Sequence, residues 1–205
     1  MQTKEKIVRS AKKLFNRNGY KGTSLNQIVE ESGIQKGGLY YYFSDKEELA
    51  LEVIKKAEND FIQFLSTSAK GKTAYEKITN QMSAILNYHK RNQCRAGCIF
   101  GNSALEMANE SEKVRNAIKD VFKKWEGLVQ NLLEDAVKKG SLAKKFENKT
   151  AELAKTVVAA IEGGIMLAKT ARDYNQLKTV INSVIFLFFN KEENYGKDNL
   201  RESDS

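Results

Sequence analysis

Residues 32–48 read SGIQKGGLYYYFSDKEE, and the fold turns on how its four consecutive aromatics, Tyr40 to Phe43, are understood. A core segment spaces its large side chains to fall on one face. Here Leu39 and Phe43 are four apart, so a helix over Lys36–Phe43 turns these two inward and sends Tyr40, Tyr41 and Tyr42 in the remaining directions. Working upstream, Gly33 ends a helix over Leu25–Ser32, whose start has the capping-box pair Ser24 and Gln27. Before it, residues 3–18 set Ile7, Val8, Ala11, Leu14 and Phe15 at one-face spacing, and Gly19 is a left-handed helix stop. Two short helices joined through Glu31-Ser32-Gly33-Ile34 and propped by a third form a helix-turn-helix unit. The second helix of such a unit enters the major groove of DNA and meets base edges with its N-terminal residues.

That geometry gives the odd composition a purpose. Gly37 and Gly38 remove bulk where backbone nears the duplex. The hydroxyls of Tyr40 and Tyr41 suit phosphate oxygens and their rings a thymine methyl; Tyr42 is the better candidate for packing. Lys36, Lys46, Thr23 and Ser24 suit the flanking phosphates. Charge agrees. The chain carries a formal +8, and residues 1–46 hold nine Lys/Arg against four acids, a local +5 that points to a polyanionic partner.

Downstream, Ser44-Asp-Lys-Glu47 reads as a second capping box opening a long helix to about residue 66, with Leu49, Val53, Ile54, Ala57, Phe61 and Leu65 on one face. Further helices follow after Gly71, over Cys98–Ala108, from Ser111 to Gly140, and over 149–172 and 174–190. Residues 91–97 read as a loop. The 205-residue chain has no proline and no strand-period segment, so the expectation is an all-α protein of about nine helices. Its organisation divides into residues 1–46, residues 47–190 and a charged tail, 191–205. No stretch suits a membrane span or a cleaved signal, which implies a cytoplasmic protein.

The stretch GYKGTSLNQIVEESGIQKGGLYYYFSDKEELALEVI resembles the DNA-binding region of the TetR family of bacterial transcriptional regulators. The resemblance rests on Gly19-Tyr20, Thr23-Ser24, Ile28-Val29, Ser32-Gly33-Ile34, Lys36-Gly37, Leu39 to Phe43, and Lys46-Glu47 with Leu49. A histidine is common in the family where Tyr42 stands. The resemblance implies that Thr23, Ser24, Gln35, Lys36, Gly37, Gly38, Tyr40, Tyr41 and Lys46 lie at a double-stranded DNA operator. It also implies that the remaining helices bind a small-molecule effector and form a homodimer. GCIFGNSALEMA and WEGLVQNLLEDAVKKG are similar to a common subgroup of those effector domains.

The residues bear separately on the last two points. The final helix, VINSVIFLFFN, is apolar over more than one face and calls for deep burial or a partner. With Gly163 and Gly164 permitting close approach, Ile161, Gly164, Val180, Ile181, Val184 and Phe188 are the expected dimer interface. Met82, Tyr88, Phe100, Met107, Phe122, Trp125 and Met166 are candidates to line an effector cavity. Glu106 and Glu162, acids among small apolar residues, are candidates to meet a cationic ligand. His89, Cys94 and Cys98 form H-x4-C-x3-C; the spacing lacks a fourth metal ligand, and inert cysteines with a surface histidine are expected. No cofactor motif and no nucleophile–base pair is present. A ligand-released repressor is the leading expectation. A thiol- or metal-responsive regulator using Cys94 and Cys98, and a helical enzyme or adaptor, stand as alternatives.

Overall fold

The computed structural model describes residues 3–189. The expected tail, 191–205, lies outside the described residues. Nine α-helices are present among the described residues: α1 (Thr3–Asn18), α2 (Leu25–Ser32), α3 (Lys36–Tyr42), α4 (Lys46–Ser68), α5 (Ala74–Arg91), α6 (Ile99–Met107), α7 (Glu112–Lys138), α8 (Thr150–Ala171) and α9 (Tyr174–Phe189). A 3₁₀ turn, Lys144–Lys149, leads into α8.

Helix ends follow local chemistry. Ser24 and Gln27 form the capping box of α2, and Gly33 closes it with φ +65°. At α4 the cap sits one residue later than expected, and the reciprocal box is incomplete. Asp45 is the N-cap and accepts from the Glu48 amide at 2.8 Å, while Glu48 Oε2 accepts from the Ser44 amide at 2.7 Å. The carboxylate of Asp45 is a stronger acceptor at a helix start than the Ser44 hydroxyl, and Glu48 reaches back past the cap to the Ser44 amide instead of to the Asp45 amide that a capping box would use. A complete capping box, Thr73 with Glu76, opens α5. Ser111 caps α7.

Three apolar clusters stack along the molecule. The first joins α1, α2 and α3 to the beginning of α4 through Ile7, Ala11, Ile28, Leu39, Leu49 and Val53. The second gathers Ile54 and Ala57 of α4, Phe100 and Met107 of α6, and Val114, Ile118 and Val121 of α7. The third, the largest, lies among α5, α7, α8 and α9 around Trp125, Leu133, Ile161 and Leu177. α4 belongs to all three, through Val53, Ile54 and Leu65 in turn, so it is the strut that fixes the first three helices to the rest. Between α6 and the α1–α2 turn there is a second tie. Glu106 Oε2 accepts from the Lys21 amide at 2.9 Å, and a Cβ at Gly19 (φ +81°) would collide with that carboxylate.

α8 and α9 make the most extensive helix pair. Gly164 is where they approach: a Cβ there would stand 2.9 Å from Leu177 Cδ1 and 3.2 Å from Val180 Cβ. Leu177, Ile181 and Val184 of α9 are buried against the chain's own core. Phe186 and Leu187 are 62% and 68% exposed, and Met166 and Leu167 of α8 are 56% and 49% exposed. The apolar surplus of the final helix is thus divided, one stripe inward and one left bare. Among the described residues no helix is long and apolar enough to cross a membrane.

Candidate nucleic-acid interface and effector cavity

α3 is anchored by Leu39, fully buried, and by Phe43 just past its end. With that side fixed, Gln35, Lys36, Gly37, Tyr40 and Tyr41 form one exposed edge. Tyr41 is 82% exposed and Tyr40 47%. Tyr42 is half-buried, and its ring packs edge-on to Tyr41 at 4.9 Å between centroids. Lys36 Nζ lies 6.0 Å from the Tyr40 ring centroid, which puts a cation and a phenol side by side on the same edge. Ser24 is exposed beside this edge; its hydroxyl accepts from the Gln27 amide at 3.2 Å and keeps its own proton for an outside acceptor.

The two glycines differ. A Cβ at Gly38 would press on Ile34 Cγ2 at 2.8 Å, so the turn itself requires a small residue there. At Gly37 a Cβ meets nothing within 4 Å, so packing inside the chain does not demand glycine. Gly37→Ala will therefore keep or raise stability, by up to about 1 kcal/mol. If a phosphate or base edge approaches this backbone, the same change will weaken operator binding by about tenfold. Thermal melts set beside gel shifts separate the two effects.

Two residues expected at the duplex are engaged within the chain. Thr23 is 1% exposed, and its hydroxyl donates to the Gly19 carbonyl at 2.8 Å. Lys46 donates to the Tyr20 carbonyl at 2.6 Å, and its ammonium stands 4.1 Å from the Tyr20 ring centroid. Burial lowers the Lys46 pKa, and the charge of Glu106 works the other way. Both residues hold the turn between α1 and α2 in place, Thr23 from inside it and Lys46 from the start of α4.

A separate cavity of about 210 Å³ lies where α4, α5, α6, α7 and α8 converge. Of the residues expected in an effector site, Tyr88, Phe100, Trp125 and Glu162 line it; Met82, Met107, Phe122 and Glu106 do not. Met82 and Met107 fill core, Phe122 is half-buried, and Glu106 is spent on the Lys21 amide. Met166 is exposed on α8. Phe61, Phe64, His89 and Cys98 also line it, as do the polar side chains of Lys12, Asn16 and Asp60. Phe61 is the centre of the aromatic cluster, with centroids 5.0 Å from Trp125 and 5.6 Å from Phe100.

Of the cavity's polar groups, Lys12 and Asp60 are paired with each other at 2.9 Å. Trp125 Nε1 and Glu162 Oε1 are buried and without a hydrogen-bond partner. Burial raises the Glu162 pKa, opposed by a hydrogen bond from Cys98. Burial likewise holds the Cys98 thiol well above its usual range, which keeps it protonated and unreactive. His89 is 5% exposed, not a surface residue as its place in the last turn of α5 suggested, and desolvation drops its pKa to about 4. Among the described residues no group of three His, Cys, Asp or Glu is placed to hold a metal ion. A larger hollow of about 890 Å³, between α1, α4 and residues 92–96, is an open groove with charged walls. Much of its charge is already paired, as in Lys12–Asp60 at 2.9 Å and Lys4–Glu52 at 2.9 Å.

The buried histidine has a consequence for stability. Its folded pKa, about 4, lies below the unfolded value of ~6.5, so the unfolded chain binds the extra proton between those limits. The contribution is complete above pH ~6.5 and is lost as pH falls toward 4, at ~1.4 kcal/mol per unit. Urea melts from pH 7 to 4.5 will show a loss roughly 2–3 kcal/mol larger than in a His89→Gln variant.

An anchored helix with a bare polar and aromatic edge, set on a helical body with its own cavity, defines a helix-turn-helix DNA-binding regulator. The comparisons with known proteins agree. Residues 7–53 match the model for bacterial regulatory proteins of the tetR family, and residues 74–183 match the C-terminal domain of LmrA/YxaF-like transcriptional regulators. The chain is 34% identical over 184 residues to the HTH-type transcriptional regulator LmrA of Bacillus subtilis, covering 85% of this chain and 90% of that one. It is 28% identical over 193 residues to the HTH-type transcriptional regulator QacR of Staphylococcus aureus, covering 93% and 98%. The fold superimposes on a TetR regulatory protein from Rhodobacter sphaeroides with a TM-score of 0.84 at 21% identity, covering 90% of this chain and 97% of that one. The chain belongs to the TetR family of transcriptional regulators. It is accordingly a ligand-responsive, DNA-binding regulator.

Proposed function

We propose that the protein represses transcription in the cytoplasm as a homodimer on a palindromic operator and leaves it when a small molecule enters the cavity beside Trp125. It acts by binding and carries out no catalysis. Residues 1–46 read the DNA, and residues 47–190 bind the effector and the second subunit. The observation that carries this reading is the exposed edge from Gln35 to Tyr41, held rigid by Leu39 and Phe43 beneath it. Gln35, Lys36, Gly37, Tyr40 and Tyr41 meet base edges and the nearest phosphates, and Ser24 a flanking phosphate. Thr23, Gly38 and Lys46 serve the interface by shaping it.

Two such edges must lie one duplex turn apart, about 34–36 Å, or a multiple of that. An effector that prefers another separation lowers DNA affinity, and DNA lowers effector affinity by the same factor. The path for this coupling is α6. Its first turn supplies Phe100 to the cavity wall, and its last turn holds the α1–α2 turn through Glu106 and Lys21. The high thiol pKa values of Cys94 and Cys98, both caused first by burial, favour a bound effector over a thiol switch.

A gel shift with the promoter of the protein's own gene tests the proposal. Binding will be site-specific, and log K will fall linearly with log salt with a slope of about −0.9 per phosphate contacted. Binding that is equally strong to unrelated duplexes would remove the operator reading.

A further inference from the structure

The cavity's chemistry is unbalanced. Five aromatic rings line it, those of Phe61, Phe64, Tyr88, Phe100 and Trp125, and so do two carboxyls, Asp60, which is paired with Lys12 and Lys56, and Glu162. Glu162 Oε1 is buried and has no partner. Oε2 is turned toward α6, where Gly101 makes room: a Cβ there would stand 2.6 Å from it. Among the described residues no cation answers this group. Lys12, at the mouth, is held by Asp60 at 2.9 Å, and Lys169 is turned to Asn102 at 3.1 Å. His89 is neutral near pH 7. Among the described residues, the polar neighbour that offers Glu162 a hydrogen is the Cys98 thiol, a weak donor. A buried carboxyl without a counter-charge costs folding free energy, which the chain could avoid with a leucine or glutamine.

We propose that the effector is a compact lipophilic cation, seated with its positive charge against Glu162 and within the ring of aromatic faces. The aromatic faces and the carboxyl both favour positive charge, and desolvation strengthens both attractions. The cavity is smaller than the range usual for drug-sized ligands, about 300–1,000 Å³, which argues for a small molecule. Burial pushes the Glu162 carboxyl above the ordinary range, and a cation at the unpartnered oxygen would restore its ionised form. An ether or carbonyl oxygen on the same ligand would answer the unpartnered Trp125 Nε1.

This inference rests on the reading of the cavity as the effector site, and one experiment separates the two. Trp125 is the only tryptophan in the chain, so its emission reports occupancy directly. The full-length protein is titrated with benzyltrimethylammonium and, separately, with neopentylbenzene, its uncharged isostere. The expected result is tighter binding of the cation by roughly tenfold or more, with the preference abolished in Glu162→Gln. Equal or tighter binding of the neutral isostere overturns the cation and leaves the cavity as an effector site. A preference that survives in Glu162→Gln overturns the role of the carboxyl. No change in Trp125 emission with either probe removes the effector site along with this inference. Should Glu162→Gln fail to fold by circular dichroism, the cation-to-isostere ratio in the unaltered protein decides.

Discussion

A Tyr40→Ala/Tyr41→Ala double variant will fold as the parent does and lose operator affinity by about a hundredfold or more. Each productive contact with a base edge is worth about 1–3 kcal/mol, and a two-fold complex makes every contact twice. The stability cost is small by the same geometry. Tyr41 is 82% exposed, so its removal uncovers little, and what is lost is the edge-on contact with Tyr42, about 0.5–1.5 kcal/mol. Leu39→Ala supplies the contrast. That side chain is fully buried, its truncation costs about 2–5 kcal/mol, and DNA binding then fails because the helix is no longer held. Fluorescence anisotropy on a labelled operator, paired with thermal melts, distinguishes the two. A double variant that binds as the parent does would mean that the exposed tyrosines do not touch the duplex.

The contrast between Tyr41 and Leu39 was legible in the sequence because it depends on neighbours in the chain. A four-residue spacing sorts inward from outward side chains, and a cap three residues from its partner marks a helix start. Both are local rules, and they placed α1, α2 and α3 to within a residue. What stayed hidden depends on residues far apart. Lys46 reads as a free cation; its partner, the Tyr20 carbonyl, is 26 residues upstream. Glu106 reads as a carboxyl waiting for a ligand; its partner, the Lys21 amide, is 85 residues away. Thr23 and Ser24 are adjacent hydroxyls in sequence, yet the turn buries one and exposes the other.

The effector cavity was half legible for a related reason. Tyr88, Phe100, Trp125 and Glu162 come from α5, α6, α7 and α8, and periodicity marks each as inward or unusual in its place. Phe61 and Phe64 were not distinguishable from packing residues, because they continue the apolar stripe by which α4 joins the clusters above and below it. His89 misled because a basic residue in the last turn of a helix normally faces water and complements the helix dipole. Here the chain turns back at the helix end, where the Cys94 amide donates to the His89 carbonyl at 2.9 Å, and the imidazole lines the cavity.

The second large effect concerns α9. Of the residues the sequence offered for a subunit interface, Ile161, Gly164, Ile181 and Val184 are packed inside the subunit, and Val180 and Phe188 are half-buried. A helix apolar on several faces does not reveal which stripe its own chain will cover. The stripe left bare contains Phe186 and Leu187, and Met166 and Leu167 are exposed on α8. If a second copy covers that face, Phe186→Asp combined with Leu187→Asp will yield a folded monomer. Burying each side chain contributes about 1.5–3 kcal/mol, the two-fold axis doubles the loss, and two carboxylates per subunit would be left desolvated and opposed. Dimer dissociation should rise by at least a thousandfold, read by sedimentation velocity. Operator affinity should fall with it, since one subunit reaches one half-site. Helix content should persist, because Leu177, Ile181 and Val184 still seat α9 on its own core. A variant that remains dimeric would place the subunit interface on another surface, and Met166 and Leu167 would be the first positions to exchange in locating it.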